Sequence, residues 1–182
     1  MGMLELLIAL QIFTASAAGL LSSQRAGKRA GHEAAQRSVA TALAGDILER
    51  MEANPAVLAL YEVDGIGEGG KPVAPPSALC DRIPCTPAQL AAFDLWQWQS
   101  LLLGAAERYQ GSAAGGLVSP HACVVRDGGV VTVAISWLGL AAATAPVASM
   151  CGTGELAPLE LPGQESGGVR RELQLASYIG NP

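Results

Sequence analysis

An apolar run near the start of the chain limits the folds that this sequence can adopt. From Leu4 to Leu21 it reads LELLIALQIFTASAAGLL, with Glu5 as its only charged residue. As a helix this run would extend roughly 27 Å, which just reaches across the hydrocarbon core of a bilayer. The run therefore predicts a helix that enters a membrane, with a globular part folded from the residues that follow.

The helical pattern continues well past the apolar run. Between Ser22 and Ala53 the sequence is polar but rich in alanine, arginine, glutamine and glutamate, which favour helix. Pro55 ends this pattern, because a proline disfavours helical backbone at the residue before it. An apolar stripe that would pack on a globular domain recurs every four residues: Val39, Leu43, Ile47 and Met51, widened by Leu48.

We therefore predict one helix of about 50 residues. Residues 1–24 form the hydrophobic half of this helix and residues 25–54 form its amphipathic half. Residues 55–182 then form a disulfide-bonded globular head.

The positions of the basic residues in the helix conflict with those of an ordinary signal anchor. Basic residues favour the cytoplasmic flank of a membrane helix, yet Arg25, Lys28 and Arg29 follow the apolar run and no basic residue precedes it.

The cysteines suggest how this conflict is resolved. The chain contains four, and an even number beside an export-like N-terminus favours disulfides in an oxidising compartment. Removal of a basic leader would reconcile an exported head with the basic flank, and Met1 would then be a processed N-terminus. The alternative is that Met1 is the initiator.

Glu5 raises a separate question, because a carboxylate within a membrane segment costs roughly 2.5–3.5 kcal/mol on insertion scales. A free α-amino group on a neighbouring helix of the same kind would pair with it in the low dielectric and fix the axial register of the two helices. Alternatively, the carboxylate snorkels to the lipid headgroups. The residues alone leave both interpretations open.

The head begins with a loop-rich stretch and a second helix. Dense glycine and proline argue against regular structure between Asp64 and Ser77. Thr86, Pro87 and Gln89 then predict a capped helix that continues to about Ala106. Its expected buried face comprises Leu90, Phe93, Trp96, Leu101 and Leu102.

Two tryptophans of this helix need separate explanations. Trp96 and Trp98 are two residues apart and cannot share a helix face. We expect one in the core and the other over the long helix or in contact with a partner.

Strands account for much of the remaining head. The segment CVVRDGGVVTVAISW predicts a hairpin that turns at Asp127–Gly128–Gly129, and RRELQLASYI alternates as a last strand would. Three or four antiparallel strands packed against the second half of the long helix make an α+β fold.

The four cysteines allow three connectivities, of which we favour Cys80–Cys85 and Cys123–Cys151. Zinc is the competing interpretation, but no CxxC motif occurs and His121 is a lone nearby candidate, so we predict no metal and no cofactor. The other histidine, His32, is expected to be solvated or at a packing surface.

No GxSxG, Walker A or HExxH motif is present in the sequence, and there is no excess of basic residues that would point to nucleic-acid binding. We predict that the chain is not an enzyme.

Three segments resemble those of a known family. MGMLELLIALQIFTASAAGLLSSQ resembles the N-terminus of a type IV pilin after leader removal, while LAGDILERMEANP and CTPAQLAAFDLWQWQSLL resemble PilV-type minor pilins. The resemblance implies the type IV pilin fold, a long N-terminal helix packed on a small antiparallel sheet with an extra helix. It also implies a methylated Met1 and an assembly role for Glu5.

The resemblance further implies a structural subunit that joins a priming complex at the filament tip. Its partners would be a prepilin peptidase, other minor pilins and the major pilin through the N-terminal helix, with a tip adhesin as a further candidate. The chain would cross the inner membrane once, with its head in the periplasm, before it enters the pilus. The rival interpretations are a minor pseudopilin of a type II secretion system and a periplasmic domain on an uncleaved anchor.

Overall fold

The computed structural model describes residues 2–67, 74–105, 107–113, 115–140, 151 and 170–180. The chain divides into two units, residues 1–35 and residues 36–182. The described part of the first unit is helical. The second contains the rest of that helix, a short 3-10 helix, a second α-helix and all the strands.

Helix α1 extends from Met3 to Ala53 and ends before Pro55, as the sequence predicts. Val39, expected in the apolar stripe, is 36% exposed. A strict four-residue spacing advances about 40° per step around a helix, so such a stripe drifts away from a fixed core. Burial instead combines spacings of three and four residues, at Gln36, Ala40, Leu43, Ala44, Ile47, Leu48 and Met51.

A four-stranded antiparallel sheet forms the centre of the head. Its strands follow the order β1 (Val63–Ile66), β4 (His121–Asp127), β5 (Val130–Leu138) and β6 (Arg170–Tyr178). The predicted hairpin is present as β4 (His121–Asp127) and β5 (Val130–Leu138). Its two-residue turn places Gly128 at a φ of 59°, a conformation that favours glycine. The predicted last strand is β6 (Arg170–Tyr178). A separate two-stranded hairpin consists of β2 (Arg108–Tyr109) and β3 (Ser112–Ala113).

Strand β1 (Val63–Ile66) corrects the expectation of an irregular segment beginning at Asp64. Val63 pairs with Val124 of β4 and packs against the core. Gly65 has a φ of 82°, and the register shifts between Val63 and Ile66. The glycine thus accommodates an irregularity within the strand. Pairing with β4 stabilises an extended backbone that the local sequence does not favour by itself.

Helix α2 extends from Pro87 to Leu102 and begins with the predicted capping box. The backbone N–H of Gln89 donates to Thr86 Oγ1, and the N–H of Thr86 donates to Gln89 Oε1. The helix ends earlier than expected, because Gly104 turns the chain with a φ of 69°. A side chain at this position would collide with the backbone of Gly115 and Gly116. Ala106, the expected end, lies outside the described residues.

The core lies between the second half of α1, the sheet and α2. On α2 the innermost tryptophan is Trp98, with no exposed surface, whereas Trp96 of the predicted buried face is half-buried. Of the other residues predicted for that face, Phe93 and Leu102 are buried while Leu90 and Leu101 are half-buried. The face turned to the core combines Ala91, Asp94, Trp98 and Leu102, at spacings of three and four residues.

Both disulfides join the cysteines that the sequence analysis favoured. Cys80 pairs with Cys85 and Cys123 pairs with Cys151, with Cα–Cα distances of 5.6 and 5.7 Å. The first closes a local loop before α2. The second lies on the sheet face opposite α1, where both cysteines pack with Ala134.

Removing the Cys123–Cys151 disulfide should destabilise the head more than removing Cys80–Cys85. The bonds join residues 28 and 5 positions apart, and a longer loop loses more freedom in the unfolded chain when it is closed. We expect a cost of about 3 kcal/mol for the double Cys→Ser change at 123 and 151, and about 2 kcal/mol at 80 and 85. Urea unfolding of the full chain in detergent measures both, and an equal or reversed order would contradict this prediction.

Candidate functional site

The large apolar side chains in the first part of α1 are exposed in the described structure. These side chains are between 51% and 84% exposed. The most apolar 18-residue window has a mean hydropathy of 1.8 and no buried residue. By length and composition the segment could cross a membrane. The exposed residues are Met3, Leu4, Leu6, Leu7, Ile8, Leu10, Ile12, Phe13, Leu20 and Leu21.

The hydroxyl groups of this segment are satisfied within the helix. Thr14 Oγ1 donates to the carbonyl of Gln11 at 3.0 Å, and Ser16 Oγ donates to the carbonyl of Ile12 at 2.8 Å. Such hydroxyls need no water or partner protein, which suits apolar surroundings. They therefore do not weaken the suitability of the segment for a membrane or a bundle of apolar helices.

Glu5 differs from these residues because its carboxylate carries a charge. It lies in the first turn of α1, where the helix dipole favours a negative group by about 0.3–1 kcal/mol. That gain is smaller than the roughly 2.5–3.5 kcal/mol cost of placing a carboxylate within a membrane segment. That cost applies at the centre of the bilayer, and either a partner on another helix or contact with the lipid headgroups would offset the remainder. Met1, the expected processed residue, lies outside the described residues.

A buried polar network joins the end of α1 to the rest of the head. The carboxylate of Asp94, on α2, is its centre. Arg50 Nη1 donates to Asp94 Oδ1 at 3.0 Å, and the Tyr61 hydroxyl donates to Asp94 Oδ2 at 2.6 Å. Asn54 Nδ2 donates to the Tyr61 hydroxyl oxygen at 3.2 Å and to the carbonyl of Pro87 at 2.9 Å. The network therefore connects α1, the 3-10 helix Pro55–Tyr61 and α2.

The environment keeps Arg50 and Tyr61 protonated. Burial lowers the pKa of the Arg50 guanidinium, but hydrogen bonds and attraction to Asp46 and Asp94 outweigh it, so the pKa is raised overall. Burial raises the pKa of the Tyr61 hydroxyl, and its hydrogen bond to Asp94 raises it further. Arg50 thus pairs with Asp46 four residues earlier on α1 and with the buried carboxylate of Asp94. The sequence analysis had not identified Asp94.

Two further contacts attach the head to α1. Trp98 Nε1 donates to the carbonyl of Leu43 at 2.8 Å. Gln36 Nε2 donates to the carbonyl of Gly116 at 3.1 Å, while Gln36 Oε1 accepts from the N–H of Val118 at 3.1 Å. Together with Arg50, these residues hold α1 at three levels between residues 36 and 50. This arrangement fixes the register of the head along that part of the helix.

The other predicted site residues have different environments. Both tryptophans were candidates for a partner contact; Trp98 is fully buried and is the one in the core, so Trp96 remains the candidate. Trp96 packs against Phe93 with ring centroids 5.7 Å apart. The ligand atoms of Asp64, Cys123 and Cys151 lie within 4.8 Å of one another, but the cysteines are joined in a disulfide. A cysteine binds a metal as its thiolate, so in the disulfide these two residues are not available as ligands.

An open groove of about 570 Å³ lies between the 3-10 helix, the β4–β5 turn and the end of β6. Arg126 and Tyr178 are the ionisable residues among its described lining. Arg126 is paired with Glu62, through an Nε–Oε1 contact of 2.8 Å. The described lining of the groove does not combine a nucleophile with a general base.

A comparison with protein families gives a match over part of the chain. A family model described as Tt1218-like, type IV pilin Tt1218, matches residues 24–96. This range includes the second half of α1, the Cys80–Cys85 disulfide and the whole Arg50–Asp94–Tyr61 network. No curated protein and no solved structure matches the chain. The long N-terminal helix, small antiparallel sheet and extra helix are consistent with the type IV pilin fold, and the match supports a pilin subunit.

Proposed function

We propose that the chain is a PilV-type minor pilin, a structural subunit that joins other minor pilins in a complex that primes pilus assembly. The observation that carries this proposal is Glu5, a carboxylate in the first turn of an apolar segment whose large side chains are exposed. A helix that only anchored the head in the membrane would not require a charge at this position. In a subunit that packs against a neighbouring helix, the carboxylate can pair with a positive group of that helix.

The proposed sequence of events begins in the inner membrane. A prepilin peptidase removes a leader, and Met1 becomes the methylated N-terminal residue. The apolar segment first spans the bilayer and then packs among the corresponding helices of other minor pilins and the major pilin. Glu5 pairs with the α-amino group of a neighbouring subunit, because in a low dielectric an opposite charge offsets the cost of the buried carboxylate.

The head is proposed to lie in the periplasm before assembly and near the filament tip afterwards. Two disulfides suit an oxidising compartment. Gln36 on α1 contacts Gly116, while Trp98 and Asp94 on α2 contact α1, and these contacts would keep the head in register when the helix is drawn into a filament. Trp96 is the candidate contact for another minor pilin or a tip adhesin.

Changing Glu5 to glutamine should separate membrane insertion from assembly. Glutamine removes the charge but keeps the size, so insertion should persist while incorporation into filaments falls at least about tenfold. Immunoblots of sheared filaments and of membrane fractions measure the two quantities. Gln11→Leu is the matched control, because it changes a polar residue of the same segment without removing a charge. Normal incorporation of the Glu5→Gln variant would contradict the proposal.

Mass spectrometry of the N-terminal peptide distinguishes the three candidate functions. A methylated peptide that begins at Met1 in sheared surface filaments would support a pilin of the pilus. A processed peptide confined to the cell envelope would favour a pseudopilin of a type II secretion system. An unprocessed N-terminus in the inner membrane would favour a periplasmic domain on an uncleaved anchor.

A further inference from the structure

A carboxylate and two sulfurs meet on the sheet face opposite α1. The ligand atoms of Asp64, Cys123 and Cys151 lie within 4.8 Å of one another. Val63 of β1 pairs with Val124 of β4, and both pack against the core. Side chains alternate along a strand, so Asp64 and Cys123, each next to one of these valines, lie on the other face of the sheet. Strand pairing and the disulfide thus bring together residues from three separate parts of the chain.

A buried histidine lies on the same face of β4. His121 is two residues before Cys123, which places their Cα atoms about 6.5–7 Å apart. The His121 side chain is 6% exposed, and neither ring nitrogen has a hydrogen-bond partner among the described residues. Buried polar atoms are normally paired, so we expect a ligand outside the protein chain beside this imidazole.

Asp64 is equally unused by the described part of the chain. Its side chain is exposed and forms no ion pair or hydrogen bond with another described residue. The two cysteines, in contrast, are 1% and 0% exposed. A carboxylate at the surface beside two buried sulfurs gives an ion a route from solvent to the sulfur atoms.

The four side chains offer the ligand types that zinc prefers, namely sulfur, imidazole nitrogen and carboxylate oxygen. In a tetrahedral zinc site the ligand atoms lie about 3.3–3.8 Å apart. Three of the ligand atoms here are already within 4.8 Å of one another, so small side-chain movements are enough to bring them to zinc. Because a cysteine binds a metal as its thiolate, the site exists only while the disulfide is open.

We propose that the reduced head binds one Zn²⁺ at this site and releases it when the disulfide forms. The four ligands are Cys123, Cys151, Asp64 and His121. In the release step a protein disulfide oxidant accepts two electrons from the two thiolates and two protons from solvent, and becomes a dithiol. The sulfur–sulfur bond forms, both zinc–sulfur bonds break, and the metal leaves as Zn²⁺. The site is independent of the proposed pilin function.

Such an ion would direct the pairing of the cysteines. Four cysteines allow three connectivities. Cys80 and Cys85 are half-buried, so their sulfurs are the more accessible to a wrong partner. Zinc would hold Cys123 beside Cys151 and occupy both thiolates until the oxidant arrives. The ion therefore acts before the disulfide, which then replaces it.

Metal titration of the full-length C80S/C85S variant in detergent tests the site, because this variant keeps only Cys123 and Cys151. After reduction with a phosphine, we expect one Zn²⁺ to bind in competition with a chromophoric chelator, and Co²⁺ to give the visible spectrum of a tetrahedral complex. The oxidised variant should bind at least about a hundredfold more weakly. D64N and H121A should each weaken zinc binding at least about tenfold.

Matched controls exclude trivial explanations. D127N changes another exposed acid of the sheet and H32A changes the other histidine, and both should stay within about twofold of the parent. Asp64 is exposed, so D64N tests the ligand without disturbing the core. A reduced chain that does not bind zinc would overturn the proposal. Binding that D64N and H121A leave unchanged would overturn it as well, because the two thiolates of an unfolded chain would then suffice.

Oxidation of the four-cysteine chain tests the role of the ion. With zinc present, oxidation by a disulfide reagent should lower the fraction of non-native cysteine pairs at least about threefold, as measured by peptide mapping without reduction. Zinc should be released as the Cys123–Cys151 bond forms. An unchanged fraction of non-native pairs, or zinc retained after oxidation, would overturn this role.

Discussion

Replacing Trp98 with alanine will reduce the free energy of unfolding of the head by about 4–5 kcal/mol, more than any other single change considered. The side chain is fully buried between α2 and α1, and the change leaves a cavity where the indole packs. It also removes the donor to the carbonyl of Leu43. Urea unfolding of the full chain in detergent, followed by the fluorescence of the remaining tryptophans, measures the loss.

Two variants separate packing from hydrogen bonding at this site. Trp98→Phe keeps most of the apolar volume but removes the indole N–H, and should cost about 2 kcal/mol. Trp96→Ala is the matched control on the same helix, and should cost about 1 kcal/mol because that ring is only half-buried. Equal losses for the two alanine variants would show that Trp98 is not the residue that holds α2 on α1.

Replacing Asp94 with alanine should cost about 3–4 kcal/mol, the second-largest expected effect. The carboxylate is 5% exposed and accepts from both Arg50 and Tyr61. Its removal leaves the Tyr61 hydroxyl without its acceptor and takes the buried carboxylate from the Arg50 guanidinium, which keeps only Asp46 and Gln97. Unsatisfied buried groups are costly. The same unfolding measurement applies, and a loss below about 1 kcal/mol would contradict the role of Asp94 as the centre of the network.

A double variant shows whether the cost arises from the orphaned charge. In Arg50→Met/Asp94→Leu both charges are replaced by apolar side chains, so no buried charge remains unpaired. Asp46, which loses its ion pair with Arg50, is partly exposed to solvent. We expect this variant to be more stable than Asp94→Ala, because apolar groups can replace a buried ion pair at little cost. Tyr61→Phe in the same background removes the last polar group that faced the carboxylate. A double variant less stable than Asp94→Ala would mean that the ion pair itself stabilises the head.

These two predictions bear on assembly as well as on folding. Trp98 and Asp94 both bind α1, at the Leu43 carbonyl and at Arg50. A head that loosens from this part of the helix would lose its fixed position along residues 36–50 of α1. Variants at Trp98 and Asp94 should therefore lower incorporation into filaments even though neither residue lies in the apolar segment.

Local chemistry determined several elements from the sequence alone. Pro55 ends α1 because its effect acts on the adjacent residue. Thr86 and Gln89 cap α2 through bonds that span three positions, and Asp127–Gly128–Gly129 reverses the chain between two valine-rich strands. The cysteine pairs Cys80–Cys85 and Cys123–Cys151 were also favoured from the sequence. In the helix and the turn, the interactions that decide the structure lie within a few residues of one another.

Only the tertiary structure decided the elements that depend on distant partners. Strand β1 forms within a stretch whose glycines argue against order, because Val63 gains a partner in Val124. Trp98 rather than Trp96 enters the core because the face of α2 that meets α1 includes Asp94, a polar residue that hydrophobic periodicity excludes. Asp94 is tolerated there because Arg50 and Tyr61, 44 and 33 residues away, satisfy its carboxylate. Periodicity reports apolar surface along one element, whereas the pairing of buried polar groups depends on which elements the fold brings together.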